Sequence, residues 1–151
     1  MIRKAAKKDA EGMHELHMRA VKVACKGFYT DEQIKGWLAK RSAEGYLEGI
    51  ENDEMFVEEI EGKVLGFGHA VPGQILAVFV DPKFHGKGFG KSLLKVGLEM
   101  AKKENHRMIK VEASLNAAAF YQKCGFIETS KSMVDRNGQK LPVVLMEYSV
   151  A

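Results

Sequence analysis

Three glycines at alternating positions, Gly86, Gly88 and Gly90, stand between an apolar run and the start of a helical pattern. The run, Ile75 to Val80, is of β type and ends at a breaker, Asp81-Pro82. A strand that feeds a glycine loop opening a helix suits an anion. Glycine lets the backbone approach a ligand, and the unpaired N–H groups of the first helical turn point at it. Two common phosphate motifs are excluded by counting. The dinucleotide fingerprint requires G-x-G-x-x-G, whereas this loop reads G-K-G-F-G. The P-loop requires four residues between its glycine and G-K-S, and Gly86 and Gly90 enclose three. With that spacing, and no evident partner for Mg²⁺, a nucleotide-dependent switch is not expected.

Groups able to move a proton occur on both sides of this loop along the chain. Tyr121 belongs to the segment SLNAAAFYQKCGF, residues 114 to 126, and Glu112 sits just before it on a strand pattern. Glu112 alternates with Val111 and Ala113, so it points away from the face that they bury. His69, Glu58 and Glu59 are further candidates on earlier strands. Cys124 follows Tyr121 closely but has no partner at a spacing for nucleophilic or metal chemistry, and is expected to be a small buried thiol. His14 and His17, three apart on a helical pattern, have no third ligand nearby, so no metal is expected.

These residues need elements to hold them. Ile2 to Ala5 reads as a strand, and Asp9 to Ala24 as a helix with Met13, Leu16, His17, Ala20, Val21 and Ala24 on one stripe. Thr30-Asp31-Glu32-Gln33 is a capping box that opens a second helix through Ile34, Trp37 and Leu38. Met55 to Ile60 and Val64 to Val71 are expected strands joined at Glu61-Gly62-Lys63, and Pro72-Gly73 turns the chain into the strand before the loop. A helix follows to about Glu104, with Leu93, Val96, Met100 and Ala101 inward. Met108 to Ala113 is a strand, Ser114 N-caps a short helix stopped by Gly125, and a hairpin turned at Asn137-Gly138 closes the chain. Hairpins mixed with crossover helices predict an α+β sheet, mostly antiparallel, with a parallel pair where helices intervene.

Val80-Asp81-Pro82 followed by His85-Gly86-Lys87-Gly88-Phe89-Gly90 resembles the pyrophosphate loop of the GNAT superfamily of acetyl-CoA-dependent N-acetyltransferases. That motif is Gln/Arg-x-x-Gly-x-Gly/Ala after a strand ending Val-x-Pro; His85 stands in the Gln/Arg place. The segment 114–126 is similar to the Asn-x-x-Ala-x-x-Phe/Leu-Tyr-x-x-x-Gly-Phe motif of many members, with Ser114 for Asn and Asn116 two residues on. Ala-Ser-Leu-Asn-Ala-x-x-Phe-Tyr and the earlier YTDEQIKGWL look like a subset of uncharacterised bacterial-type members. The resemblance covers nearly the whole chain.

It implies one domain over residues 1–151, a mixed sheet of about seven strands with a splayed parallel pair, and four flanking helices. It implies acetyl-CoA as co-substrate, moved to a primary amine of a small molecule or peptide. Backbone groups of Val78, Phe79 and Val80 would hold the pantetheine arm and polarise the acetyl carbonyl. His85, Gly86, Lys87, Gly88, Phe89, Gly90 and Lys91 would cradle the pyrophosphate, with Ser114 and Asn116 also at the cofactor. Tyr121 would protonate the departing thiolate. Glu112 is the first candidate for the base, followed by His69. A lysine-type amine with pKa near 10.4 is neutral in only about one molecule in 2500 at pH 7, so such an acceptor needs that base. The rival expectation is a non-catalytic acyl-CoA sensor, kept open by His85 and Ser114 at cofactor positions.

Length and composition agree. The 151 residues are 46% hydrophobic and 28% charged, ordinary for a soluble globular chain. No apolar run approaches the ~20 residues that span a bilayer, no leader is visible, and no membrane partner is expected. A net charge of +3 is too mild to argue for nucleic acid. Two cysteines suggest no disulfide framework, and a cytoplasmic monomer or homodimer is the expectation.

Overall fold

Tight turns order the strands of this protein, whose computed structural model describes residues 1–150; Ala151, the last residue of the expected domain, lies outside them. Glu61-Gly62 and Asn137-Gly138 both hold two successive residues at positive φ (51° and 78°, 54° and 86°). That is the twist a two-residue hairpin needs. The first joins β2 (Met55–Ile60) to β3 (Lys63–Val71), and the second joins β6 (Ile127–Arg136) to β7 (Gln139–Ser149). Gly73, with φ 84°, turns β3 into β4 (Gln74–Val80). With β1 (Ile2–Lys4) and β5 (Met108–Ser114) these form one seven-stranded sheet in the order β1-β2-β3-β4-β5-β7-β6. Every neighbouring pair is antiparallel except β4 and β5, as the sequence predicts.

Five α-helices flank the sheet: α1 (Ala10–Ala24), α2 (Asp31–Leu38), α3 (Leu47–Glu51), α4 (Phe89–Ala101) and α5 (Ala118–Lys123). The capping box of α2 is formed as expected, Gln33 N–H donating to Thr30 Oγ1 at 3.1 Å and Thr30 N–H to Gln33 Oε1 at 2.9 Å. The fifth helix, α3, is only five residues long and too short to show a period in sequence. Two of the departures from expectation bear on the site. α4 stops at Ala101, because Glu104 and Asn105 take positive φ. Ser114 does not cap α5: it is the last residue of β5, its carbonyl accepts from Ala117 N–H, and the cap position belongs to Ala117.

The sheet separates two apolar layers. α4 lays Leu93, Leu94 and Ala101 on one face, against Phe56, Ile75 and Val80. α1 lays Met13 and Leu16 on the other, against Val57, Phe67 and Tyr46. Each large side chain buried in this way contributes roughly 1.5–3 kcal/mol. Gly68 of β3 makes the first layer possible, since a Cβ there would fall 2.3 Å from the Phe56 ring. Among the described residues no helix is long and apolar enough to cross a membrane.

Candidate active site

β4 and β5 pair at two positions only, Gln74 with Lys110 and Ile75 with Val111. The next residue, Leu76, has no partner on β3 either: Ala70 faces Ile75 and His69 faces Ala77. Leu76 is thus the extra residue of a β-bulge, which bends a strand and raises its twist. Beyond it β4 leaves β5, and a gap opens between residues 76–80 and 112–114. The bulge also resets the alternation of side chains. Ile75, Val78 and Val80 pack on the α4 layer, while Ala77 and Phe79 pack on the α1 layer.

The backbone follows the same parity. Asp81 N–H donates to Leu65 of β3 at 2.8 Å, so Phe79 and Ala77 also turn their peptide groups to β3. Val78 and Val80 turn theirs toward the gap, where β5 no longer reaches them. Unpaired peptide groups in such a place need a partner. The Val80 carbonyl has one, accepting from His85 Nε2–H at 3.0 Å. His85 therefore braces the loop onto the strand end.

The glycine loop follows directly. Asp81 accepts from Lys83 N–H at 3.1 Å and from Arg19 of α1 at 2.7 Å, tying the loop's first turn to α1. Burial pushes the Asp81 carboxyl up, but the Arg19 and Lys83 hydrogen bonds outweigh it and hold it below the usual carboxylate range. Gly88, with φ 85°, caps the thirteen-residue α4, and a Cβ on it or on Gly86 would meet nothing within 4 Å. The space above the first turn of α4 is open, its N–H groups directed into it. Lys91 lines it too. Lys87 alone of the expected residues turns away, its ammonium 5.6 Å from the centre of the Phe84 ring.

Tyr121 lies across the gap on α5, edge-on to Phe120 and Phe126 at 5.2 and 5.3 Å between ring centres. It is buried, yet it lines the cleft, and its hydroxyl has no hydrogen-bond partner among the described residues. Burial pushes the phenol well above its ordinary value, with Cys124 adding to the rise, so it stays protonated at neutral pH and has a proton to give. Glu112 is exposed on the cleft wall, with Arg136 at 3.8 Å. Asn116 accepts from Cys25 Sγ–H at 3.3 Å, and burial pushes the Cys25 thiol up to about 11. Ser114 lines the cleft beside it.

One cleft of about 1040 Å³ runs from the glycine loop and Lys91 past Val78, Tyr121 and Glu112 to Ser114 and Asn116. At the end away from the glycine loop it meets groups not expected from sequence. His17 and Tyr46 join there, imidazole Nδ1 to hydroxyl, at 2.7 Å. Burial drives His17 down to about 3, with Arg41 and His14 adding to the fall, so it is neutral at physiological pH. Arg41 donates Nε–H to the Trp37 carbonyl at 3.1 Å; burial lowers its pKa, the nearby Tyr46 hydroxyl opposes the fall and Arg136 adds to it. His69 is also on the wall, its Nε2 2.9 Å from Glu54 Oε1. The arrangement offers an extended anion seat and an unpaired strand edge, then a protonated phenol and a polar chamber. No motif marks Arg41, Tyr46 or Arg136, because residues 39–46 carry no period and the hairpin tip is ordinary turn sequence.

Comparison with known proteins agrees with this geometry. The model of the acetyltransferase (GNAT) domain matches residues 25–149. The chain is similar to an uncharacterised N-acetyltransferase, MJ1207, of Methanocaldococcus jannaschii, 29% identical over 84% of this chain and 60% of that one. It thus spans well under two-thirds of the length of that relative. Over 67% of each chain it is 32% identical to the peptidyl-lysine N-acetyltransferase YiaC of Escherichia coli. In fold it resembles the PaiA N-acetyltransferase of Thermoplasma acidophilum, solved in complex with coenzyme A. The TM-score is 0.79 at 21% identity, over 99% of this chain and 98% of that one.

Proposed function

The chain belongs to the GNAT acetyltransferase family, and from that premise we propose that it transfers an acetyl group from acetyl-CoA to a primary amine of a small molecule or peptide. The observation that carries this is the gap between β4 and β5, with the glycine loop at one end and the Tyr121 hydroxyl across it. An acyl-CoA is an anion joined to an amide-rich arm. The α4 N-terminus and Lys91 suit the pyrophosphate, and the free peptide groups of Val78 with the Val80 N–H suit the arm. Ser114 and Asn116 line the same side.

In the reaction the amine nitrogen attacks the thioester carbon, and the carbonyl oxygen takes up negative charge, which a β4 N–H stabilises. The C–S bond then breaks, and Tyr121 gives its proton to the departing sulfur. Because a thiol has a pKa near ~8.5, its thiolate already leaves tolerably well, so this help sits at the low end of the usual ~10²- to 10⁴-fold. The amine proton goes to Glu112 on the wall of the same cleft. His69 is the second candidate, favoured by the Glu54 carboxylate that orients its ring.

Tyr121→Phe tests the reading. It keeps the ring and both edge contacts and removes one hydroxyl. Turnover in a thiol-release assay is expected to fall at least about tenfold, with acetyl-CoA affinity by calorimetry and thermal midpoint unchanged. Full activity would reduce Tyr121 to packing. Tight acetyl-CoA binding with no thiol release for any amine would make the protein an acyl-CoA sensor instead.

A further inference from the structure

The inner end of the cleft has an unbalanced set of charges. Among the described residues Glu112 is the only Asp or Glu on its wall, whereas Arg41 and Arg136 both line that end. The two guanidiniums come from distant parts of the chain and are brought together by a specific dock. Asn137, at the tip of the β6–β7 hairpin, donates Nδ2–H to the carbonyls of Gly36 and Ala39 at 2.8 and 3.0 Å. These are the last turn and the end of α2, just before Arg41. Gly36 permits the approach, since a Cβ there would fall 2.4 Å from the Gln139 side chain.

Neither guanidinium is saturated by the protein. Arg41 spends Nε on the Trp37 carbonyl, and the Tyr46 hydroxyl lies beside its fork, leaving part of the fork unmatched. Arg136 spends Nη1 on the Asp135 carbonyl, and its Nη2 stands 3.8 Å from Glu112, beyond hydrogen-bonding range. Two like charges half-buried together repel unless an anion lies between them, and planar forks of this kind pair with carboxylate or phosphate oxygens. A bare ammonium is poorly suited to the same place.

Resting on the transferase reading above, we infer that the acceptor is a small amine carrying its own oxyanion, a carboxylate or a phosphate, which Arg41 and Arg136 clamp at the inner end of the cleft. Two forks fix the molecule's orientation, so its amine is held toward the β4–β5 gap and the reaction becomes effectively intramolecular.

Matched amines decide it. Lysine is compared with 1,5-diaminopentane, phosphoethanolamine with ethanolamine, and lysine with Nα-acetyl-lysinamide, a surrogate for a peptide lysine. The oxyanion-bearing member of at least one of the first two pairs is expected to exceed its partner in kcat/KM by about tenfold or more. Which pair responds separates carboxylate from phosphate. In Arg41→Met and Arg136→Met that preference should shrink to within about twofold, through KM. Trp37, the only tryptophan, lines the cleft and holds Arg41, so its fluorescence reports binding without turnover. With CoA bound, it should change saturably with the oxyanion-bearing amines and not with their partners. Equal kcat/KM within both of the first pairs, or Nα-acetyl-lysinamide matching lysine, overturns the inference. Should no amine release thiol although acetyl-CoA binds, the transferase reading fails and the fluorescence titration alone judges the clamp; a flat titration then overturns it.

Discussion

The two edges of β5 differ sharply. Along β7 the strand is paired at all seven residues, Met108 with Ser149 through to Ser114 with Val143. Along β4 it is paired at two, and the ladder ends where Leu76 is inserted. Both edges belong to the same residues, so strand propensity cannot explain the difference. It arises from a single extra residue on the neighbour. On the closed edge the peptide groups are spent on stability. On the open edge Val78 and Val80 are left with groups that a ligand can use, each worth about 1–3 kcal/mol if left buried and unmatched. The lesson is that this site begins as a defect in a ladder, with side chains arranged around it afterwards.

The strongest way to break the contrast is to delete Leu76. Ile75, Ala77 and Val78 would then alternate regularly, each keeping the face it now has. The β4–β5 ladder should extend and the gap close. Acetyl-CoA affinity is expected to fall beyond calorimetric detection while the thermal midpoint holds or rises. Retained binding in a folded deletion variant would show that the open edge is not the cofactor's seat.

Gly88→Val is expected to have the next largest effect. Space is not what forbids a side chain there; φ of 85° is, together with the ligand that the open space would receive. Affinity for acetyl-CoA should drop about 100-fold, with stability reduced by roughly 1–3 kcal/mol from backbone strain. Unchanged affinity would remove the loop from the binding surface.

At the inner end of the cleft pH is the lever. His17 is buried neutral with its pKa at about 3, against about 6.5 in the unfolded chain. Between those values the unfolded state holds the extra proton, so stability is full above about pH 6.5 and is lost as pH falls toward 3. His17→Phe keeps an aromatic ring against Phe79, 4.1 Å away between ring centres, and should flatten the melting-temperature profile over that window. A parallel slope in wild type and variant would assign the acid loss to other groups.

The smallest expected effect comes from His85→Ala. Since Nε2 braces the Val80 carbonyl, its loss should cost acetyl-CoA affinity only about 3- to 10-fold, in line with one hydrogen bond of ~1 kcal/mol. A loss of 100-fold or more would instead make His85 a direct holder of the cofactor.

Much of this was legible from the chain alone because the determinants are local. Turns at Glu61-Gly62 and Asn137-Gly138, the Thr30 capping box and the glycines before α4 each act within four or five residues, so their spacing is their signal. The motif segments likewise placed thirteen of the fourteen expected site residues on one cleft, Lys87 excepted. The bulge at Leu76 was not legible, since an inserted residue in an apolar run looks like any other until its partner strand is known. Nor was the inner chamber. Arg41 and Arg136 are 95 positions apart and meet only because Asn137 docks on the end of α2. Local chemistry determined the elements and the glycine loop; which peptide groups stay unpaired, and which charges face each other, depends on contacts between distant segments that only the packed structure decides.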